Sequence, residues 1–167
     1  SISPGGIKKK IINLIDNEIK KHTSATPGRI IAKMNSLADD TVIEKLYEAS
    51  YKGVQIELIV RGICCLKPQI KGLSENIFVR SIVGRFLEHS RIFYFKNAGD
   101  ELLFISSADW MQRNLDRRIE IMIPVEGEES INKLKSILEY NLKDNQKARI
   151  LFDDSYKRTV IKSDKKK

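Results

Sequence analysis

The sequence predicts an α/β fold, a single domain with a mixed sheet flanked by helices. Three observations point there. Apolar, strand-like runs alternate with amphipathic helical stretches along the whole chain. Between Arg29 and Arg61 the order is strand, helix, strand, and both strands are apolar, the pattern of a right-handed crossover joining parallel neighbours. The stretch "RIFYFKNAGDELLFIS" then reads as two strands around a polar turn, an antiparallel hairpin that a purely parallel sheet would not contain.

Each element follows from its own residues. "PGGIKKKIINLIDNEIKK" opens with Pro4 and two glycines and places Ile7, Ile11, Leu14, Ile15 and Ile19 on one helical face. The turn "TSATPG" ends that helix, and "RIIAKM" (29–34) is a short apolar strand. In "NSLADDTVIEKLYEASYKG", Asp39 or Asp40 can cap a helix carrying Val42, Ile43, Leu46, Tyr47 and Ala49, with Gly53 as its stop. "VQIELIVRG" alternates into a strand that ends at Arg61. "NIFVRSIV", "RIFYF", "ELLFIS" and "RRIEIMIPV" supply further strands, with "NAGD" as the hairpin turn. A last helix, "EESINKLKSILEYNLKD", precedes the strand "ARILF" and a charged tail.

Composition narrows the function classes. The 167 residues suit one domain with a real core. The sequence is 41% hydrophobic, and no apolar run approaches the roughly 18 residues of a membrane span. The opening "SISPGGIKKKIINL" lacks the apolar core and cleavage site of a signal peptide. Cys64 and Cys65 are adjacent and lack metal spacing, which suits a reducing, cytosolic setting and two small buried hydrophobes. Thirty Lys and Arg against 22 Asp and Glu give a net charge of +8, a surplus that attracts polyanions. The lysine runs at 8–10 and 165–167 read as solvated ends. More weight falls on arginines within the folded part: Arg61, Arg80, Arg85, Arg91, Arg113, Arg117 and Arg118. Aromatics make up only 7%, sparse for base stacking, so no specific nucleic acid is expected.

Chemistry-bearing residues gather after residue 88. His89 and Arg91 form an H-x-R pair at the start of a strand, where residues two apart face one side. The hairpin returns "ISSADW", with Ser106, Ser107 and Asp109, and "MQRNLDRRIE" follows with Arg113, Asn114, Asp116, Arg117, Arg118 and Glu120. A histidine suits proton transfer near neutral pH, and arginines grip phosphate oxygens in pairs. Asp109 or Glu120 can orient the imidazole. Structural readings stand beside these. His89 can be a satisfied structural group, Arg91 can snorkel out of its strand, and "SSADW" can be a turn with a core tryptophan. His22, among lysines at a helix end, reads as a surface residue.

"FLEHSRIFYFKNAGDELLFISSADWMQRNLDRRIEI" resembles the C-terminal region of the bacterial polyphosphate kinases that carry phospholipase-D-like domains. "KMNSLADDTVIEKLYEASYKGVQIELIVRGICCLKP" and "SPGGIKKKIINLIDNEI" are similar to the same family, so the likeness runs from about residue 3 to about residue 152. The H-x-R and "SSAD" stretches look like a worn form of the phospholipase-D H-x-K and G-S-x-N signature. Arg91 stands where that signature has lysine and Asp109 where it has asparagine, which counts against phosphodiester hydrolysis.

The resemblance implies a phospholipase-D-like fold and a part in reversible transfer of the ATP terminal phosphate to inorganic polyphosphate, with magnesium. Transfer in the family runs through a phosphohistidine on a second, homologous domain. It implies that His89 contacts the nucleotide phosphates and acts as general acid or base, and that Arg61 of "LIVRG" binds ATP. Arg91, Arg117 and Arg118 are candidates for a positive track along the polymer. The phosphorylated histidine, the magnesium-binding arginines and the adenine-stacking tyrosine belong to an upstream domain whose pattern this sequence does not contain. Residues 1–167 therefore read as a C-terminal domain with a core over about 3–152 and a charged tail over 153–167, with no metal site of its own and inactive alone. Expected partners are ATP, ADP, polyphosphate, the upstream domains and, in the full-length protein, further copies of itself. The expected location is the cytoplasm, with peripheral membrane association left open. The rival readings are a phospholipase-D-like nuclease or phosphodiesterase and a non-enzymatic polyanion-binding module.

Overall fold

Alternation within one strand decides the layering. In β1 (Arg29–Met34), Ile30, Ala32 and Met34 pack with one buried cluster, and Ile31 packs with a second on the opposite face. The larger cluster lies under α1 (Gly6–Lys21) and α2 (Asp40–Tyr51), which contribute Ile7, Ile11, Ile15, Val42 and Leu46. The smaller one lies under α4 (Glu128–Lys143), through Leu134, Ile137, Leu138 and Leu142. The computed structural model describes residues 1–152 and 155–158.

The sheet between these layers is mixed. The central strands β1, β2 (Gln55–Val60) and β3 (Ile77–Ser81) are parallel. The pair β4 (Arg91–Phe95) and β5 (Leu102–Ser106) is the predicted hairpin, closed by a 3₁₀ turn over Asn97–Gly99, and β4 runs antiparallel to β1. The short β6 (Met122–Pro124) flanks β5, while β7 (Arg149–Phe152) and β8 (Ser155–Arg158) extend the other side. The order across the sheet is β6-β5-β4-β1-β2-β3-β7-β8. This is the mixed α/β architecture that the sequence predicts.

Local chemistry explains the boundaries. Asp39 caps α2, its carboxylate accepting from the Val42 N–H at 3.1 Å while also pairing with Lys8 at 2.9 Å. Gly53 turns the chain after α2 at φ 94°, and a Cβ there would meet the His22 ring at 2.9 Å. His22 itself is half-buried, with its Nδ1 accepting from the Gly28 N–H at 2.9 Å, so it joins a helix end to a turn.

Three expectations are adjusted. "RRIEIMIPV" is a strand only over Met122–Pro124, because Glu120 turns inward to accept from Asn114 and Ser107 instead of continuing the alternation. The five residues before it, Gln112–Asp116, form a short helix, α3. Inside the stretch read as a charged tail, Ser155–Arg158 pair with β7, while residues 153, 154 and 159–167 lie outside the described residues. Cys64 is half-buried, and burial pushes its thiol up to about 11, whereas Cys65 is exposed rather than buried. No helix among the described residues is long and apolar enough to cross a membrane.

Candidate functional site

Strand direction brings four distant segments to one end of the sheet. The parallel strands β1 and β2 both finish there, so the next residues, Asn35 and Arg61, emerge side by side. Because β4 is antiparallel to β1, its first residue, Arg91, starts at that same end, with His89 just before it. The chain leaving β5 delivers Asp109. Open α/β sheets carry their sites at the carboxyl ends of the parallel strands.

These side chains form one continuous series of hydrogen bonds. Arg61 Nε donates to Asn35 Oδ1 at 3.0 Å. The Asn35 backbone N–H and Nδ2 donate to Asp109 Oδ1 at 2.8 and 3.3 Å. Arg91 grips the same carboxylate with both edges of its fork, Nε to Oδ1 at 3.2 Å and Nη2 to Oδ2 at 3.1 Å. Its Nη1 then meets His89 Nδ1 at 3.0 Å and donates to the His89 carbonyl, also at 3.0 Å. Its Nη2 also meets His89 Nε2 at 3.3 Å, so one guanidinium lies along the ring and faces both of its nitrogens, and the nitrogen without a proton is the one that accepts. The series runs from a buried interior to an exposed end: Asn35 and Asp109 are 6% and 7% exposed, while His89 lies in the open.

Electrostatics fixes the middle of this series. Burial alone would push the Asp109 carboxyl up, but the Arg91 hydrogen bonds, the Asn35 and Ser36 N–H groups and the Arg91 charge together hold it below the usual carboxylate range. Asp109 is therefore an anion that anchors Arg91. Neither Asp109 nor Glu120 touches the imidazole. Arg91 orients the ring instead, and Glu120 accepts from Asn114 Nδ2 at 2.6 Å and from the Ser107 hydroxyl. Asp116 pairs with Lys8 at 3.2 Å.

A second set of contacts holds the backbone around the two ends. Lys33, nearly buried within β1, donates to Ser90 Oγ at 3.0 Å and pairs with Glu88 at 3.3 Å, so it grips both neighbours of His89. Ser81 Oγ donates to the Arg61 carbonyl at 2.9 Å. In front of Arg61 opens a cavity of about 230 Å³, walled by the 82–88 segment with Val83, Arg85 and Phe86. Lys33→Met is expected to loosen this segment without unfolding the protein, since the replacement keeps a long chain in a sheet position. Trypsin should cut after Arg85 several-fold faster in the variant, with the global unfolding midpoint little changed. Equal cleavage rates would show that the lysine does not restrain the segment.

The sequence reading thus meets its site in part. Arg61, His89, Arg91 and Asp109 are brought together. Arg117 and Arg118 are not in that series. They follow α3, where Ser3 Oγ donates to the Arg118 carbonyl at 3.1 Å, and both side chains are exposed and without a hydrogen bond or ion pair among the described residues. "SSADW" is both things at once: Trp110 is fully buried, packing on Phe93 at 4.9 Å between ring centres, and Asp109 beside it faces the series. Asn35, Lys33 and Ser81 escaped the sequence reading. Asn35 had a usable signal, because it follows β1 at the position Arg61 occupies after β2. Among the described residues no group of three or more His, Cys, Asp or Glu gathers that could hold a metal ion.

Known proteins share this sequence and this fold. Residues 1–167 match the family described as polyphosphate kinase C-terminal domain 2. The chain is 58% identical over 147 residues to a polyphosphate kinase of Exiguobacterium sibiricum, covering 88% of this chain and 20% of that protein. It is 53% identical over 157 residues to one of Pseudomonas aeruginosa, covering 93% of this chain and 23% of that protein. It is similar to the crystal structure of polyphosphate kinase from Porphyromonas gingivalis, with a TM-score of 0.93 at 43% identity over 99% of this chain and 26% of that one. The chain therefore spans about a fifth to a quarter of the length of these relatives. A phospholipase D family member, Nuc from Salmonella typhimurium, shares the fold, with a TM-score of 0.64 at 14% identity over 92% of this chain and 96% of that one.

Proposed function

Since the chain belongs to the polyphosphate kinase family, as its C-terminal domain 2, we propose that within the intact protein it holds the phosphates of ATP during reversible phosphoryl transfer to inorganic polyphosphate. What carries the reading is the unbroken series from Arg61 to His89, which fixes a guanidinium and an imidazole on one frame. Phosphoryl transfer asks chiefly for positioning and for positive charge on the phosphate oxygens.

The residues divide the work. Asn35 occupies Arg61 Nε, which leaves the two Nη nitrogens for a pair of phosphate oxygens. His89, its ring held beside Arg91 and exposed to solvent, serves as the proton donor to a phosphate oxygen and takes the proton back in the reverse direction. Arg91 acts behind the ring as its support. Arg117 and Arg118, on their own side of the fold, are free to meet polymer beyond the nucleotide. The phosphorylated histidine and the magnesium ion are assigned to the rest of the polypeptide. Magnesium there would neutralise charge on the transferring phosphate, and Asp109, Asp116 and Glu120 of this chain are already committed to protein donors. A cytoplasmic location and self-association of the full-length protein belong to the same proposal.

The phospholipase-D reading shares the fold but not the chemistry. The position that would hold its lysine is Arg91, locked on Asp109.

The test uses labelled ATP and the intact protein. Arg61→Lys keeps the charge and loses the planar fork, so apparent ATP affinity should fall by about tenfold, and further in Arg61→Ala. Residues 1–167 alone should form neither polymer nor acid-labile phosphoprotein. Equal ATP affinity in all three proteins would turn Arg61 away from the nucleotide, and polymer made by the isolated chain would end the proposed division of labour.

A further inference from the structure

The β3–β7–β8 edge of the sheet carries a feature that the Arg61–His89 series does not use. A cavity of about 310 Å³ lies where β3 and β8 end and β7 begins, lined by Ser81, Val83, Lys147, Arg149 and Arg158. Three of the five lining residues are cations and none is a carboxylate. No hydrogen bond or ion pair engages the heads of Lys147, Arg149 or Arg158 among the described residues.

The pairing register makes the arrangement costly. Ser81 lies opposite Arg149 on β7, and Arg149 lies opposite Arg158 on β8. Like charges directly across two strands destabilise a sheet. A short hairpin that sets two arginines face to face, with a lysine beside them, would gain stability from an anion between them. The cavity also adjoins the proposed nucleotide site. Val83 lines both cavities, and Lys147 Nζ lies 3.9 Å from where a Gly84 Cβ would stand, over the segment that walls the Arg61 cavity. Ser81, at the edge of the basic cavity, holds the Arg61 carbonyl.

We propose that Lys147, Arg149 and Arg158 form a second anion site that takes a run of a linear inorganic polyphosphate chain, in line with Arg61. A positive track thus leaves Arg61 toward the β7–β8 hairpin, separate from Arg117 and Arg118. The occupant rests on the function proposed above, while the site rests on its own charges. Linear phosphate is favoured over nucleic acid because no aromatic side chain lines the cavity for a base to stack on. Each residue of such a polymer offers oxygens that a guanidinium can take in pairs.

The experiment compares the intact protein with Lys147→Ser/Arg149→Ser and, separately, with Arg61→Ala. Competition binding would use tripolyphosphate, long-chain polyphosphate, ATP and a single-stranded oligonucleotide, each over a series of salt concentrations. The double variant should bind long-chain polyphosphate on the order of tenfold more weakly. Its log-affinity against log-salt slope should be shallower by about 1 to 2, with ATP affinity unchanged. Without ligand it should unfold at the same temperature as the parent or higher, since like-charge repulsion is relieved, and polyphosphate should raise that temperature less than in the parent. Unchanged polyphosphate affinity and slope would overturn the cavity as a site, even where Arg61→Ala loses ATP as the nucleotide reading requires. An oligonucleotide that competes as well as polyphosphate, and loses affinity equally in the double variant, would overturn the assignment to linear phosphate. Unchanged ATP affinity in Arg61→Ala would overturn the nucleotide reading and leave the cavity to be judged by the double variant alone.

Discussion

His89→Ala, made in the intact protein, should lower polyphosphate synthesis by about 10²-fold or more, the usual contribution of a positioned acid or base. Stability should stay within about 0.5 kcal/mol of the parent, as expected for an exposed residue. The two expectations separate because the imidazole hangs at the open end of the series. Removing it leaves Arg91 on Asp109, and Asp109 on Asn35, as before. Steady-state turnover measured in both directions checks the first expectation, and thermal unfolding checks the second. Near-parental turnover would remove the histidine from the chemistry.

Asp109→Ala should do the opposite and strike the fold first. The carboxylate and Arg91 are each only 10% exposed, so deleting one partner leaves a guanidinium without its counter-charge in a nearly closed place. Such a loss costs about 3–5 kcal/mol, enough to unfold a marginal domain. Asp109→Asn keeps an acceptor for the Asn35 N–H and should cost less. The acid limb of stability carries the same signature. The folded carboxyl sits below its ordinary value. Its contribution is therefore complete above the unfolded value near 4 and drains away as the pH falls from there through the folded one. Urea unfolding of residues 1–167 between pH 7 and pH 3 should show that decline in the parent and a flatter limb in Asp109→Ala. Identical limbs would mean the pair does not hold the site together.

The architecture was legible because the core obeys simple periods. Ile7, Ile11 and Ile15 name their helix face, and the apolar runs at 29–34 and 55–60 name a parallel pair. The strand through 117–121 was overdrawn, because period alone cannot register that Glu120 is needed as an acceptor for Ser107 and Asn114. At the site, Arg61, His89, Arg91 and Asp109 could be read from residue type and from their place beside strands. Lys33 could not, since a lysine in "RIIAKM" looks like the wet residue of an edge, yet β1 lies in the middle of the sheet. Arg117 and Arg118 lie close to Asp109 in sequence, which alone suggests a shared site. The short helix α3 turns that segment toward Ser3 instead. The cations around Ser81 were unreadable for a related reason: Arg149 and Arg158 become neighbours only through the β7–β8 register.

The position of β4 beside β1 also sets an order of events in time. Ile30 pairs with Phe95, with a helix and two further strands, β2 and β3, between them in the chain. Pairings of such long span form slowly compared with local helices and hairpins, because the closure entropy is lost before the contact rewards it. Asn35 waits for Asp109, which arrives only after β4 and β5 have docked. A ribosome must therefore release the chain past Trp110, whose carbonyl takes the Ala38 and Asp39 N–H groups, before Asp109 can join Asn35 to Arg91. The join between Asn35 and Arg91 is thus completed late, when the chain that carries Asp109 docks.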